Sequence, residues 1–219
     1  MSVTENIALI RESIDSRPVK LIAVTKEAES EQIEQAFQCG VTEFGESRVQ
    51  DALRKRSLLS QAIQNGAHWH FIGHLQTNKV KLAVGNFALI HSVDSLRLAT
   101  EISKIAALKE LLQPILLQVK ILPDPSKSGF APETLIRDLP AILQLPNIEC
   151  RGLMTITPAA ATAQQKQECF EGLVKLRDRL SYAHSTFLSE LSMGMSDDWQ
   201  EAIQFGSTMI RVGRAIFRQ

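Results

Sequence analysis

Lys26 stands just behind a short apolar run, Leu21-Ile22-Ala23-Val24, with Thr25 between them. The run reads as a strand over 21–25 buried on both faces. An amine at the end of such a strand points past its C-terminal edge, where α/β proteins bind ligands. Partly withdrawn from water, an ammonium loses some of its preference for charge and becomes a better nucleophile toward carbonyl carbon. The plainer reading is a lysine reaching for solvent from a strand end, and these six residues alone favour it. Lys79, Lys81, Lys120 and Lys127 are other amines, but none directly follows a buried strand.

Two late segments have the chemistry of an anion site. Ser192-Met193-Gly194-Met195-Ser196 is a turn with Ser and Gly at alternate positions that opens a helix, with Asp198 or Ser196 at the N-cap and Glu201 three residues on from Asp198, as in a capping box. Free N–H groups there bind phosphate. Gly206-Ser207-Thr208 offers more N–H and hydroxyl donors. Ordinary capping explains the same residues, with Asp197 and Asp198 opposing an anion, and pattern alone leaves the two readings level. Arg211 lies in the apolar strand Met209-Ile210-Arg211-Val212, on the face of Met209 and Gly213. Pointing into a core, it needs an acceptor or an anion; pointing out, it makes a salt bridge. His70 and His74 are weaker signals, and His68 and His70 have no acidic or thiol partners nearby in sequence, so no metal site is expected.

These residues need a scaffold, and the chain supplies a repeating one. Val3, Ile7, Ile10 and Ile14 predict a helix over 3–16 that Pro18 ends. Strands are predicted at 21–25, 41–44, 69–72, 87–93, 114–121, 148–154, 187–192 and 208–212. Helices are predicted at 30–39, 47–64, from about 77, from 94 or 95 to about 112, at 133–144, 163–183 and 196–203. About eight alternations imply parallel strands joined by crossover helices. The expected architecture is α/β: a single (β/α)8 TIM-type barrel over residues 1–219 with an extra N-terminal helix. An open doubly wound sheet is the alternative.

Composition narrows the class. The 219 residues are 44% hydrophobic and 22% charged, and 24 basic residues balance 24 acidic ones. That is an ordinary globular chain without the electrostatic footprint of a nucleic-acid or membrane binder. Cys39, Cys150 and Cys169 are scattered and form no CxxC pair, which fits reduced thiols in the cytoplasm. The first residues lack the apolar core of a signal peptide. No stretch approaches the roughly 20 apolar residues of a membrane span.

Ala23-Val24-Thr25-Lys26, Phe44-Gly45-Glu46, Trp69 through Lys79, Lys127-Ser128-Gly129-Phe130, Gly152-Leu153-Met154, Leu191 through Asp198 and Gly206 through Gly213 occur in that order along nearly the whole chain. In these motifs the sequence resembles the pyridoxal phosphate homeostasis proteins, single-domain relatives of the N-terminal barrel of alanine racemase. The resemblance implies an internal aldimine between Lys26 and pyridoxal 5′-phosphate (PLP). It implies that Ser192, Gly194 and Ser196 surround the phosphate, joined by Gly206, Ser207 and Thr208, and that Arg211 faces the pyridine nitrogen. His74 is counted with this cofactor-binding set. Ser47 departs from the family, which usually has Asn there, near the cofactor; the shorter hydroxyl reaches less far.

Three functions compete: a non-catalytic PLP carrier, a PLP-dependent amino-acid racemase, and a cofactor-free Schiff-base aldolase. Racemisation needs two acid/base groups. The resemblance implies that alanine racemase takes its second from a C-terminal β domain. This chain runs six residues past Gly213, and its single tyrosine, Tyr182, falls on a long outer helix. A guanidinium does not give up its proton, so Arg211 would leave the ring a poor electron sink, although racemases of this fold also use Arg. The carrier is therefore the expected function, with PLP and PLP-dependent apo-enzymes as partners, no nucleic acid or membrane, and a cytoplasmic monomer.

Overall fold

Apolar strands separated by amphipathic helices can bury their outer faces only by collecting those helices around a sheet. The computed structural model describes residues 2–14 and 17–218; positions 15 and 16 of the first expected helix, and ends 1 and 219 of the expected domain, lie outside them. Helix α1 (Val3–Ile14) comes first. Then follow β1 (Lys20–Val24), α2 (Ser30–Gln38), β2 (Glu43–Glu46), α3 (Val49–Leu58), α4 (Gln61–Gly66) and β3 (His68–Phe71). After a 3-10 turn at Thr77–Lys79 come α5 (Val80–Ala83), β4 (Leu89–Val93), α6 (Leu96–Leu108), β5 (Gln113–Gln118), α7 (Pro132–Leu143) and β6 (Ile148–Met154). The chain ends with α8 (Ala163–His184), β7 (Glu190–Met195), α9 (Trp199–Gln204), β8 (Met209–Val212) and α10 (Arg214–Phe217).

All eight strands pair in parallel, and β8 returns to β1 in a register running from Lys20–Met209 to Ala23–Val212. The sheet is a closed barrel, which excludes the open doubly wound alternative. Strand polarity fixes the geometry: every strand ends at one face, and the loops after the strands share that face.

Side chains alternate between two environments along each strand. Phe44, Trp69, Phe71, Ile90, Ile115, Leu117, Leu153 and Leu191 join the large core beneath the helices. Ile22, Leu89, Leu116, Met154 and Met209 form a separate small layer inside the barrel. Full burial of such a side chain contributes roughly 1.5–3 kcal/mol. The rest of the interior holds buried polar groups, His70, His91, Ser192 and Arg211. Helix α1 lies outside the alternating order and is tied to the last helix by Asn6 Nδ2, which donates to the Ile216 carbonyl at 3.0 Å.

Three elements differ from the sequence expectation. The helix expected over 47–64 breaks at Leu59–Ser60, because Ser60 gives its N–H and hydroxyl to the Glu34 carboxylate at 2.7 and 2.9 Å. The helix expected from residue 77 is only a 3-10 turn followed by a single α turn. Strand β7 lies three residues later than expected, at Glu190–Met195. Its Ser and Gly residues are tolerated because α9 packs tightly on it.

Candidate functional site

Lys26 follows β1 in a turn on the C-terminal face. Its side chain is 55% exposed and its Nζ lies 3.9 Å from Glu27 Oε1. The expected withdrawal from water is therefore not found: Thr25 takes the buried position at the strand end, and Lys26 is exposed beside Glu27. The turn is braced from below. Thr25 Oγ1 donates to Glu46 Oε1 at 3.0 Å, and Lys55, from α3, donates to the same carboxylate oxygen at 3.0 Å and to the Thr25 carbonyl. Val24, Lys26, Gly213 and Arg214 line one small cavity, so the turns after β1 and β8 meet beside the amine.

Gly194, the penultimate residue of β7, leads into the turn that follows, and its φ of +92° suits glycine. A Cβ there would lie 2.6 Å from Ala202 Cβ and 2.9 Å from Trp199 Cα. Ser196 Oγ accepts from Gly213 N at 3.3 Å and Ala215 N at 3.4 Å, which leaves its own proton free to donate. The amide N–H groups of Ser196 and Asp197 meet no acceptor among the described residues. The neighbouring acids are engaged: Asp198 accepts from Thr157 Oγ1 and Met195 N, each at 2.6 Å, and Asp197 pairs with Arg214. Asp198 turns back to Met195 N and makes no side-chain cap on α9, so the expected capping box is absent.

Arg211 points into the barrel with 4% of its surface exposed. Its NH1 donates to Ser192 Oγ at 2.6 Å and its NH2 to the Thr155 carbonyl at 2.9 Å. Burial pulls the guanidinium down to about 10, against the raising charge of Asp198, and it remains charged at neutral pH. Beneath it lie Ser192 Oγ to His91 Nδ1 at 2.8 Å, His91 Nε2 to His70 Nδ1 at 2.9 Å, and His70 Nε2 to Glu43 Oε2 at 2.6 Å. Burial, then the neighbouring His70, Arg211 and Lys20, push His91 well below the ordinary imidazole range.

Several expected site residues need reassignment. Gly206, Ser207 and Thr208 precede β8, so they lie on the barrel face opposite Lys26. Thr208 Oγ1 bonds Glu190 at 2.9 Å, and Ser207 Oγ lies among the carbonyls of Leu191, Met193 and Met209. Proximity in sequence to the last strands suggested a phosphate site, but only segments after a strand reach the rim. Ser192 is fully buried and its hydroxyl is used by His91 and Arg211, so it supports Arg211 from within and does not face a phosphate. Ser47 and His74 do sit on the rim, lining one cavity of about 260 Å³. Gly73 lets their loops touch, since a Cβ there would lie 2.1 Å from the Ser47 carbonyl oxygen. His74 is exposed, with Nδ1 3.0 Å from Ser128 Oγ and 3.3 Å from Asp94 Oδ2.

Lys55, Glu43, His91 and Thr155 were not singled out by sequence as site residues. His91 carried a readable signal, a histidine within the apolar strand 87–93. Lys55 carried none, being one of several charges on a surface helix. Among the described residues no group of three or more His, Cys, Asp or Glu is disposed to hold a metal ion, and no helix is long and apolar enough to cross a membrane. The three cysteines are unpaired.

Residues 2–219 match the family model described as alanine racemase, N-terminal domain. A protein of Synechocystis sp. named pyridoxal phosphate homeostasis protein is 44% identical over 199 residues, covering 91% of this chain and 90% of its own. The structure of PipY of Synechococcus elongatus without PLP superposes with a TM-score of 0.94 at 39% identity, covering 99% of this chain and all of PipY. PipY with PLP bound superposes at 0.91 and 38% identity, with the same coverage. An alanine racemase of Clostridium difficile is 15% identical with a TM-score of 0.81, and its match covers 98% of this chain but 56% of the racemase; that likeness is one of fold.

Proposed function

The chain belongs to the alanine racemase N-terminal domain family and, within it, to the pyridoxal phosphate homeostasis proteins, and from this we propose that it binds and buffers pyridoxal 5′-phosphate through a covalent tether on Lys26, without turnover of its own. The observation that supports the reading is that three unlike groups lie at the same end of the barrel, at or just after the C-terminal ends of β1, β7 and β8. An exposed amine follows β1, open N–H and hydroxyl donors follow β7, and a buried guanidinium rises from β8.

The donor set fits the cofactor. PLP supplies an aldehyde that condenses with a primary amine with loss of water, a phosphate and a ring nitrogen. Lys26 is the exposed amine on the loop after β1. Ser196, the amides of Ser196 and Asp197, and the close turn at Gly194 suit a phosphate. Arg211 is the donor for the ring nitrogen; held charged, it keeps that nitrogen unprotonated. Ser47 and His74 line the rim on the side of β2 and β3.

The same arrangement argues against racemisation. Tyr182 lies near the C-terminal end of α8, which runs back toward the face opposite Lys26, and it is 91% exposed. His74 is engaged with Ser128 and Asp94. A protein that holds PLP and releases it would supply PLP-dependent apo-enzymes. Equilibrium binding of PLP to the purified protein, read by visible absorbance, tests the reading; absence of a saturable new band would overturn it.

A further inference from the structure

The buried polar groups beneath Arg211 form one continuous line through the barrel. It starts at Glu43, the first residue of β2 on the face opposite Lys26, and passes through His70, His91 and Ser192 to Arg211. His70, His91, Ser192 and Arg211 are each 4% exposed or less. Four donor–acceptor contacts of 2.6–2.9 Å join them.

Hydrogen-bond chemistry gives the line a direction. Glu43 accepts as a carboxylate: burial raises its carboxyl, but hydrogen bonds at both oxygens, to His70 Nε2 at 2.6 Å and His68 Nδ1 at 3.1 Å, help to hold it below the ordinary value. His70 therefore donates from Nε2, and when neutral its Nδ1 can only accept. His91 must then donate from Nε2 and accept at Nδ1, and that acceptor takes the Ser192 hydroxyl proton. The Ser192 oxygen is left to accept from Arg211, which has donors only. Each group has one consistent role, with a cation at one end and an anion at the other.

We propose that Glu43, His70 and His91 are positioning residues for Arg211: through Ser192 they hold its guanidinium in one orientation, so that it meets the cofactor ring as a fixed donor. The place of the cofactor rests on the function proposed above; the directed line does not. Glu43 also touches His68, whose Nδ1 lies 3.1 Å away, and Lys20 begins the adjacent β1. The outer end of the line thus sits among groups facing solvent on the far side of the barrel.

The test begins with cofactor-free protein. Nitrogen-15 NMR of the wild type at neutral pH should show both His70 and His91 as neutral Nε2–H tautomers, with the Arg211 side-chain N–H groups protected from exchange. In Glu43→Gln that protection should be lost, and the affinity for added PLP should fall about tenfold, the low end of what removing a carboxylate behind a functional histidine costs at metal sites. A doubly protonated His70, or an Nδ1–H His91, overturns the directed line. Wild-type Arg211 protection in Glu43→Gln overturns the positioning role. Should the wild type take up no PLP, the carrier reading fails, and tautomers and exchange still decide this proposal. If Glu43→Gln does not fold, the wild-type tautomers decide it.

Discussion

Lys55 Nζ lies 3.0 Å from Glu46 Oε1, and it also donates to the carbonyl of Thr25, the residue before Lys26. The Glu46 side chain is 1% exposed, and its hydrogen-bond partners are Lys55, Thr25 and the Ser47 amide. Lys55→Met should destabilise the protein by roughly 3–5 kcal/mol, because an unpaired carboxylate remains buried. The double variant Lys55→Met, Glu46→Gln should recover much of that loss. Urea denaturation measures both; additive losses would show that the pair does not brace the Lys26 turn.

Acid should weaken the fold in two stages. The folded-state value of His91 lies well below 6.5, so below pH 6.5 the unfolded chain binds a proton that the folded one refuses, and stability falls with pH. Glu43 is also depressed, from 4.5. Its contribution is present above that value and is lost as pH falls through the lower folded one. Each proton adds a slope of about 1.4 kcal/mol per pH unit. Glu43→Gln should flatten the lower stage alone in a series of denaturant titrations. A profile identical to wild type below pH 4.5 would remove Glu43 from the account.

Gly194→Ala forces a side chain into a backbone at φ +92° and against Ala202 Cβ at 2.6 Å. Strain and overpacking together should cost roughly 2–4 kcal/mol. The shifted turn should also lower PLP affinity, whereas a core variant with the same loss of melting temperature should bind PLP as the wild type does. Wild-type stability and affinity in Gly194→Ala would show that the turn yields freely.

PLP-loaded protein given a panel of L-amino acids should form no D-isomer above the rate of free PLP, as chiral chromatography would show. Sustained D-isomer formation would establish a second acid/base group at the rim and with it a racemase.

The barrel was readable in the sequence because most of its units repeat the same local code: an apolar strand, a polar loop, an amphipathic helix. Lys26 was readable because it follows a strand, and Gly194 and Ser196 because small residues lead into a helix. Gly206, Ser207 and Thr208 were misplaced for want of one inference, that residues before a parallel strand lie on the wrong face. Ser192 was misread because a strand that carries Gly and Ser looks like a loop until a helix is seen packed on it. The line from Glu43 to Arg211 joins residues far apart in sequence, and only the closed barrel brings β2, β3, β4, β7 and β8 to one axis.

Lys26 is the point on which the account stands. Borohydride reduction of the PLP-treated protein, followed by peptide mapping, measures it most directly. The expected result is a single pyridoxyl label on Lys26, with the visible band and the label both lost in Lys26→Ala. A label carried by another lysine, or a band that survives in Lys26→Ala, would contradict it.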